Sequence, residues 1–252
     1  METSFKMYGG KIKFGLKRLY IFLFIIPIVF FASGVVTLFS LLTLFYFRNF
    51  TMVKLVAPFC RAILYLVGVR IRYFVPKFEF RQKVYICNHL SALDIFIMCG
   101  LGIPNTRYFM SVSTLKFPPL LLVGLCTGVF YVSEQANGKK RTQEFKKACN
   151  KLMITKESVM LTPEGFRNKG TEIQKFNKGS FHLATVLKCD IECFVIEYPP
   201  KSNPGLGLVA ESGTINVRHI GTFSTANWSL DRLSENADMV RDHYLKNMKN
   251  SV

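Results

Sequence analysis

Val84-Tyr85-Ile86-Cys87-Asn88-His89-Leu90-Ser91-Ala92-Leu93-Asp94 starts as a strand and ends as a polar turn. Four apolar residues closed by turn-forming ones are the length and composition of a buried strand. Ser91 and Asp94 have the Ser-x-x-acid form of a capping box, which predicts a helix from about Ala92. His89 then falls in the loop between strand and helix. On one continuous helix, five residues turn through about 500°, and the two side chains would point about 140° apart. His89 can therefore meet Asp94 only from outside the helix. Two readings of the pair stand open. Asp94 can serve only the helix start, with His89 as a turn residue. Alternatively, Asp94 can fix the tautomer of His89 and stabilise its charged form, as the acid of a catalytic triad does. No Gly-x-Ser-x-Gly elbow accompanies the pair. A His–Asp pair without a protein nucleophile points to a substrate hydroxyl as nucleophile.

A second unit of the same kind lies further on. The run 158–162 is strand-like and leads into Pro163-Glu164-Gly165-Phe166-Arg167. Gly165 permits a positive φ or a close backbone approach to a ligand. Arg167 can grip a phosphate with two parallel hydrogen bonds. Lys178-Gly179 precedes a helical pattern from Ser180, a favourable place for an anion. The alternative is a surface turn with a solvated arginine. Two polar clusters, each at a strand end, suggest one site.

Further strand patterns occupy 69–74, 107–110, 129–132, 191–198 and 214–220, and 83–87 covers the first unit. Helical patterns occupy 92–99, 142–153, 180–187 and 231–247. Strands alternating with helices predict an α/β fold, a largely parallel sheet flanked by helices. Residues 199–207 read as a loop. The apolar stretch 118–124 reads as buried core or as the lining of an acyl tunnel.

The N-terminal quarter differs. Residues 1–18 are polar and basic, and 19–47 hold no Asp, Glu, Lys or Arg. That run exceeds the roughly 20 residues that span a bilayer core and the roughly 7–15 of a signal peptide. Pro27 and Ser33-Gly34 interrupt it, so it reads either as one tilted span or as a re-entrant hairpin of two short halves. The segment 51–68 carries Lys54 and Arg61, charges that are costly inside a span. It reads as an interfacial helix or as one packed on the domain. The expected organisation is a basic segment at 1–18, membrane-associated helices at 19–68 and a catalytic domain at 69–252.

Bulk composition fits this division. The chain has 252 residues, 24 of them Phe, and a net charge of +17. Such a charge points to an anionic partner: nucleic acid, lipid headgroups or a phosphorylated substrate. No nucleic-acid-binding module or basic stripe with stacking aromatics is present, so no nucleic-acid partner is expected. The seven cysteines sit mostly in apolar runs without metal-ligand spacing. They predict reduced, buried thiols, a cytosol-facing catalytic domain and no metal site.

Taken together, the motifs resemble the glycerolipid acyltransferase family. Its Asn-His-x4-Asp pattern is matched by Asn88, His89 and Asp94, and its Pro-Glu-Gly-Thr-Arg block by Pro163 to Arg167. Its Phe-Lys-x-Gly-Ala-Phe-x-x-Ala stretch is similar to Phe176-Asn177-Lys178-Gly179-Ser180-Phe181-His182-Leu183-Ala184. The resemblance runs from about 50 to 245. It implies an acyl-CoA or acyl-carrier-protein donor, a lysophosphatidate acceptor and no bound cofactor. It implies that His89 deprotonates the acceptor hydroxyl, which attacks the thioester in one step, while Asp94 orients His89. Glu164, Gly165 and Arg167, with Lys178 nearby, are implied to hold the acceptor phosphate. The resemblance also implies that the N-terminal helices bind the bilayer: that of the endoplasmic reticulum in a eukaryote, the inner membrane in a bacterium. Phe166 stands where the family has Thr or Ser, and Asp190 and Cys193 stand where prolines are usual. Ser111, Val112 or Ser113, and Glu134, fall where the family's second block has Lys and Arg, and Lys139, Lys140 and Arg141 lie a few residues beyond as cations that can compensate. These departures leave open another lysophospholipid acceptor, or an inert lipid-binding relative.

Overall fold

The computed structural model describes residues 15–134, 136–167, 173–199, 204–209 and 212–249. The basic segment expected at 1–18 falls largely outside these residues. Helix α1 (Gly15–Leu42) and helix α2 (Arg48–Leu66) come first. Then follow β1 (Val69–Phe74), β2 (Val84–Cys87), α3 (Asp94–Gly100), β3 (Thr106–Ser111), α4 (Pro118–Thr127) and β4 (Phe130–Val132). The chain continues through α5 (Gly138–Thr155), β5 (Ser158–Leu161), α6 (Gly179–Leu187), β6 (Ile191–Glu197), β7 (Gly213–Phe223) and α7 (Leu233–Lys249).

The seven strands form one sheet in the order β1-β7-β6-β2-β5-β3-β4. The central strands β6, β2, β5, β3 and β4 run parallel. Strand β7 is antiparallel to β6, and β1 pairs parallel with β7. This is the α/β architecture expected from the sequence, with strand ends moved by at most three residues. All four residues of β2 are buried. Tyr85 and Cys87 join the core beneath α1, α2 and α3. Val84 and Ile86 join the opposite core with α5, α6 and α7. The two-residue period of the pleat thus splits an unbroken apolar run between two cores, which is why the run does not alternate with polar residues.

Two features differ from one of the readings left open. Residues 19–42 follow the single-helix reading and not the hairpin of short halves. Pro27, Ser33 and Gly34 all lie inside the uninterrupted α1, and the chain reverses only at 43–47, where Leu44 and Phe45 take positive φ. The helix tolerates Pro27 because a π-helical turn, Ile21–Ile25, precedes it and the Ile26 amide donates to the Ile21 carbonyl. Such a widened turn absorbs the acceptor that proline leaves without a donor. The same arrangement recurs in α2, where the π segment Thr51–Val56 precedes Pro58. The second difference is α4, a helix on the stretch read as core or tunnel lining. Pro118 and Pro119 occupy its first turn, and Gly128 closes it at φ +72°.

Helix α2 lies against the domain through Met52, Val56, Ala57, Cys60, Ile63 and Leu64. Arg61 donates to the Gly100 carbonyl (2.9 Å) at the end of α3. A partly buried ion cluster fixes its start: Arg48 and Arg107 both bind Glu157, at 2.9 and 2.6 Å. Along α1 the outward side chains are large and apolar, among them Phe22, Leu23, Phe31, Leu38 and Leu42. Both helices are long and apolar enough to cross a membrane.

Candidate active site

Strands β2 and β5 are neighbours, with Val84 opposite Val159 and Ile86 opposite Leu161. Their C-terminal loops therefore leave the same sheet edge side by side. In open α/β sheets ligands bind at that edge, where successive connections diverge to either side. Here the chain turns from β2 toward β3 on one side, and later from β5 to β6 on the other.

The sequence's first cluster closes on itself. His89 Nδ1 lies 2.8 Å from Asp94 Oδ2. The same oxygen accepts the amides of Leu90 and Ser91, each at 2.8 Å. Ser91 Oγ accepts the Leu93 amide (3.1 Å). The helix begins at Asp94 rather than at Ala92, because a turn at 92–93 intervenes. That later start lets His89 and Asp94 meet: Asp94 closes the loop as its side chain enters the first turn of α3. Asp94 is fully buried, while the His89 side chain keeps 25% of its surface exposed. An ionised Asp94 accepts only, so Nδ1 carries the proton and Nε2 presents a lone pair.

Asn88 is also fully buried. Its amide donates to the Ile196 carbonyl (3.0 Å) and accepts the Ile196 amide (2.8 Å). It continues the β2–β6 ladder by one step with a side chain, and so sets the point at which the loop departs. Glu164 comes from the β5 side. Its carboxylate, fully buried, accepts the His89 amide and the Gln174 amide, each at 3.0 Å. The structure thus places Glu164 as a tie between the two motif loops. Pro163 is buried, and its carbonyl accepts the Asn177 amide. Gly165 takes φ +74° and donates to the Thr162 carbonyl (3.1 Å). Arg167 and Lys178 are exposed.

Beside these loops opens a cleft of about 680 Å³ lined by Ser111, Arg141, Lys146, Pro163, Gly165 and Lys178, among others. Its size falls in the range of small-molecule sites. His89 is not a lining residue, but Pro163 and Gly165 flank the Glu164 that holds the His89 amide. Gly179 forms part of the wall, where a Cβ would come within 2.9 Å of the Phe145 ring. Beside it, Ser180 Oγ is buried without a hydrogen-bond partner among the described residues. Of the residues at which the family pattern is broken, Phe166 and Glu134 are exposed and Val112 is half-buried in the turn after β3.

Two residues with roles here, Tyr198 and Lys146, were not singled out in the sequence. Tyr198, at the end of β6, donates to Asp94 Oδ1 (2.5 Å). Burial, then the Asp94 charge, push its phenol well above the usual range, so it stays a donor. Arg141 and Lys146 reach the cleft from α5. Their one available signal was the basic run on an amphipathic helix. Burial, then the charges of Asp94 and Glu164, push the Cys87 thiol well up. A thiol so placed does not form the thiolate a nucleophile needs. The seven cysteines are buried and unpaired. Among the described residues, no group of three or more His, Cys, Asp or Glu is placed to hold a metal ion.

The model of the Acyltransferase family matches residues 75–197, which include both motif loops. The chain is 29% identical over 172 residues to a 1-acyl-sn-glycerol-3-phosphate acyltransferase of Saccharomyces cerevisiae, covering 67% of this chain and 56% of that one. It is 23% identical over 194 residues to the enzyme of the same name from Limnanthes douglasii, covering 74% and 66%. In both cases the matched part is less than two thirds of the relative's length. The fold superposes on the crystal structure of the 1-acyl-sn-glycerophosphate (LPA) acyltransferase PlsC from Thermotoga maritima with a TM-score of 0.72. That match has 19% identity and covers 95% of this chain and 97% of the other. Residues 75–197, with the paired motif loops on one edge of that fold, thus form a domain that matches the Acyltransferase family.

Proposed function

We propose that this chain transfers an acyl group from an acyl thioester, acyl-CoA or acyl-carrier protein, to the free sn-2 hydroxyl of 1-acylglycerol-3-phosphate, giving phosphatidate. The observation that carries this reading is the 2.8 Å contact between His89 and buried Asp94 at the mouth of the parallel sheet. His89 Nε2 takes the hydroxyl proton as the oxygen attacks the thioester carbonyl. The C–O bond forms, the C–S bond breaks, and the imidazolium returns the proton to the leaving thiolate. Asp94 holds the tautomer and stabilises the imidazolium between the two transfers. The burial of Cys87, the thiol nearest this loop in sequence, supports direct transfer without an acyl-enzyme.

The acceptor phosphate is assigned to the cationic side of the cleft. Arg141, Lys146 and Lys178 face it, and Ser180 Oγ in the first turn of α6 offers a donor that has no hydrogen-bond partner among the described residues. Gly165 lets the backbone approach the ligand closely, and Arg167 is the further cation of the loop. The α1–α2 pair brings the domain to the bilayer, where acceptor and product reside. Detergent, and not high salt, is expected to release the protein from membranes; release by salt alone would remove this part.

One observation supports a second acceptor class. Glu134 and Val112 stand where the family pattern has cations, which weakens the pull on a bare phosphate monoester. A panel of lysophosphatidate against lysophospholipids with headgroups separates the two. The first reading expects lysophosphatidate to give the highest kcat/KM, and a better headgroup-bearing acceptor would replace it with the second.

A further inference from the structure

We infer that Tyr198 is a positioning residue of the catalytic pair, setting the orientation of Asp94 and the basicity of His89 through it. The inference rests on the general-base reading of His89. The two oxygens of Asp94 are used unequally. Oδ2 takes His89 Nδ1 and the amides of Leu90 and Ser91. Oδ1 is held by the Tyr198 hydroxyl at 2.5 Å. The donors on Oδ2 all belong to the loop that Asp94 itself closes, so by themselves they allow carboxylate and loop to move together. Tyr198 comes from β6, 104 residues away in the chain, and ties the carboxylate to the sheet. The same end of β6 also holds Asn88 through Ile196, and β5 holds the His89 amide through Glu164. Tyr198 completes the set by fixing the acid itself.

The phenol also changes the charge that His89 meets. A donor on Oδ1 draws off part of the carboxylate's negative charge, so Asp94 stabilises the imidazolium less than it would alone. Removing the hydroxyl reverses this. A fully buried carboxylate that loses a donor leans harder on its remaining partners, and His89 holds its proton to higher pH. The groups facing this centre are Asp94 on α3, Glu164 from the β5 loop, the Cys87 thiol on β2 and Tyr198 itself. The two acids are unchanged by the substitution, and the thiol is held protonated by burial.

The test is Tyr198→Phe, which removes only the oxygen. In full-length protein in membranes, the acidic limb of the kcat/KM profile is expected to move up by about half a pH unit or more. The kcat falls and the KM for the acceptor stays unchanged. In an Asp94→Asn background the same substitution is expected to add no further loss, because the two residues act as one unit. A lower rate with an unmoved limb would mark Tyr198 as merely structural and overturn the inference, as would additive losses. His89→Ala is run in parallel: its loss of activity upholds the general-base reading whatever Tyr198→Phe does. Should the wild type transfer nothing, the midpoint of the His89 imidazole titration, read by NMR in detergent, tests the coupling directly. It is expected to rise in Tyr198→Phe, and an unchanged midpoint would overturn the inference.

Discussion

At the level of single residues, the site depends on a carboxylate that cannot turn. Asp94→Asn keeps the shape of the side chain but can present an N–H to Nδ1, which favours the tautomer with Nε2 protonated and removes the lone pair that the proposed reaction requires. Expected is a fall in kcat of roughly 10²–10⁴-fold, the usual worth of general-base catalysis, with the KM for the acyl donor little changed. Retained activity within a few-fold of wild type would show that the pair is not the base. The sequence was informative here because the contacts of Asp94 with His89, Leu90 and Ser91 span five residues or fewer. It was silent on Tyr198, which is 104 residues from Asp94 and lay in a predicted strand like any other aromatic. The work of Glu164 was hidden for the same reason. From its motif it reads as part of a phosphate site, and only the pairing of β2 with β5 brings its carboxylate to the His89 amide.

Among the elements, strands were legible and helices less so. Short apolar runs between turn residues marked the buried central strands, and alternation marked the edge strand β1. Helix α4 escaped because its sequence, 118–127, is apolar on all sides and so carries no 3.6-residue period. Its ends did carry the signal: proline in the first turn and glycine just past the last. That glycine is also the element's weak point. Gly128 has φ +72°, and a Cβ there would lie 2.8 Å from a guanidinium nitrogen of Arg48 and 2.9 Å from one of Arg107. Gly128→Ala is expected to lower stability by about 1–2 kcal/mol from backbone strain alone, with more from displacing the cluster on Glu157 that fixes the start of α2. Thermal unfolding in detergent measures it; an unchanged midpoint would mean that the cluster does not anchor α2. The continuity of α1 was left open by its proline and glycine alone. A π turn ahead of Pro27 has no sequence signature as strong as the proline itself.

Across the whole molecule, a sheet joined by buried charges carries an apolar pair of helices on one face and a cationic cleft on the other. The most acid-sensitive joint is Glu192 on β6. It is bound by Lys83 before β2 (2.5 Å) and by His219 (2.5 Å) and Thr222 (2.8 Å) on β7. Burial pushes its carboxyl up, but the hydrogen bonds from His219, Lys83 and Thr222 outweigh burial and hold it at about 2. A folded value below the ordinary 4.5 means stabilisation that is complete above pH 4.5 and is lost as the pH falls toward 2. Urea midpoints between pH 6 and 3 are expected to fall more steeply for wild type than for Glu192→Gln; parallel curves would place the acid sensitivity elsewhere. The central claim, that this joined sheet presents a base to a lipid hydroxyl, has a more direct test. Membranes containing the full chain are given labelled acyl-CoA and lysophosphatidate, wild type beside His89→Ala at matched protein levels. Labelled phosphatidate from wild type and a loss of roughly 10²-fold or more in the variant is the predicted result. Equal phosphatidate formation by both proteins would contradict it.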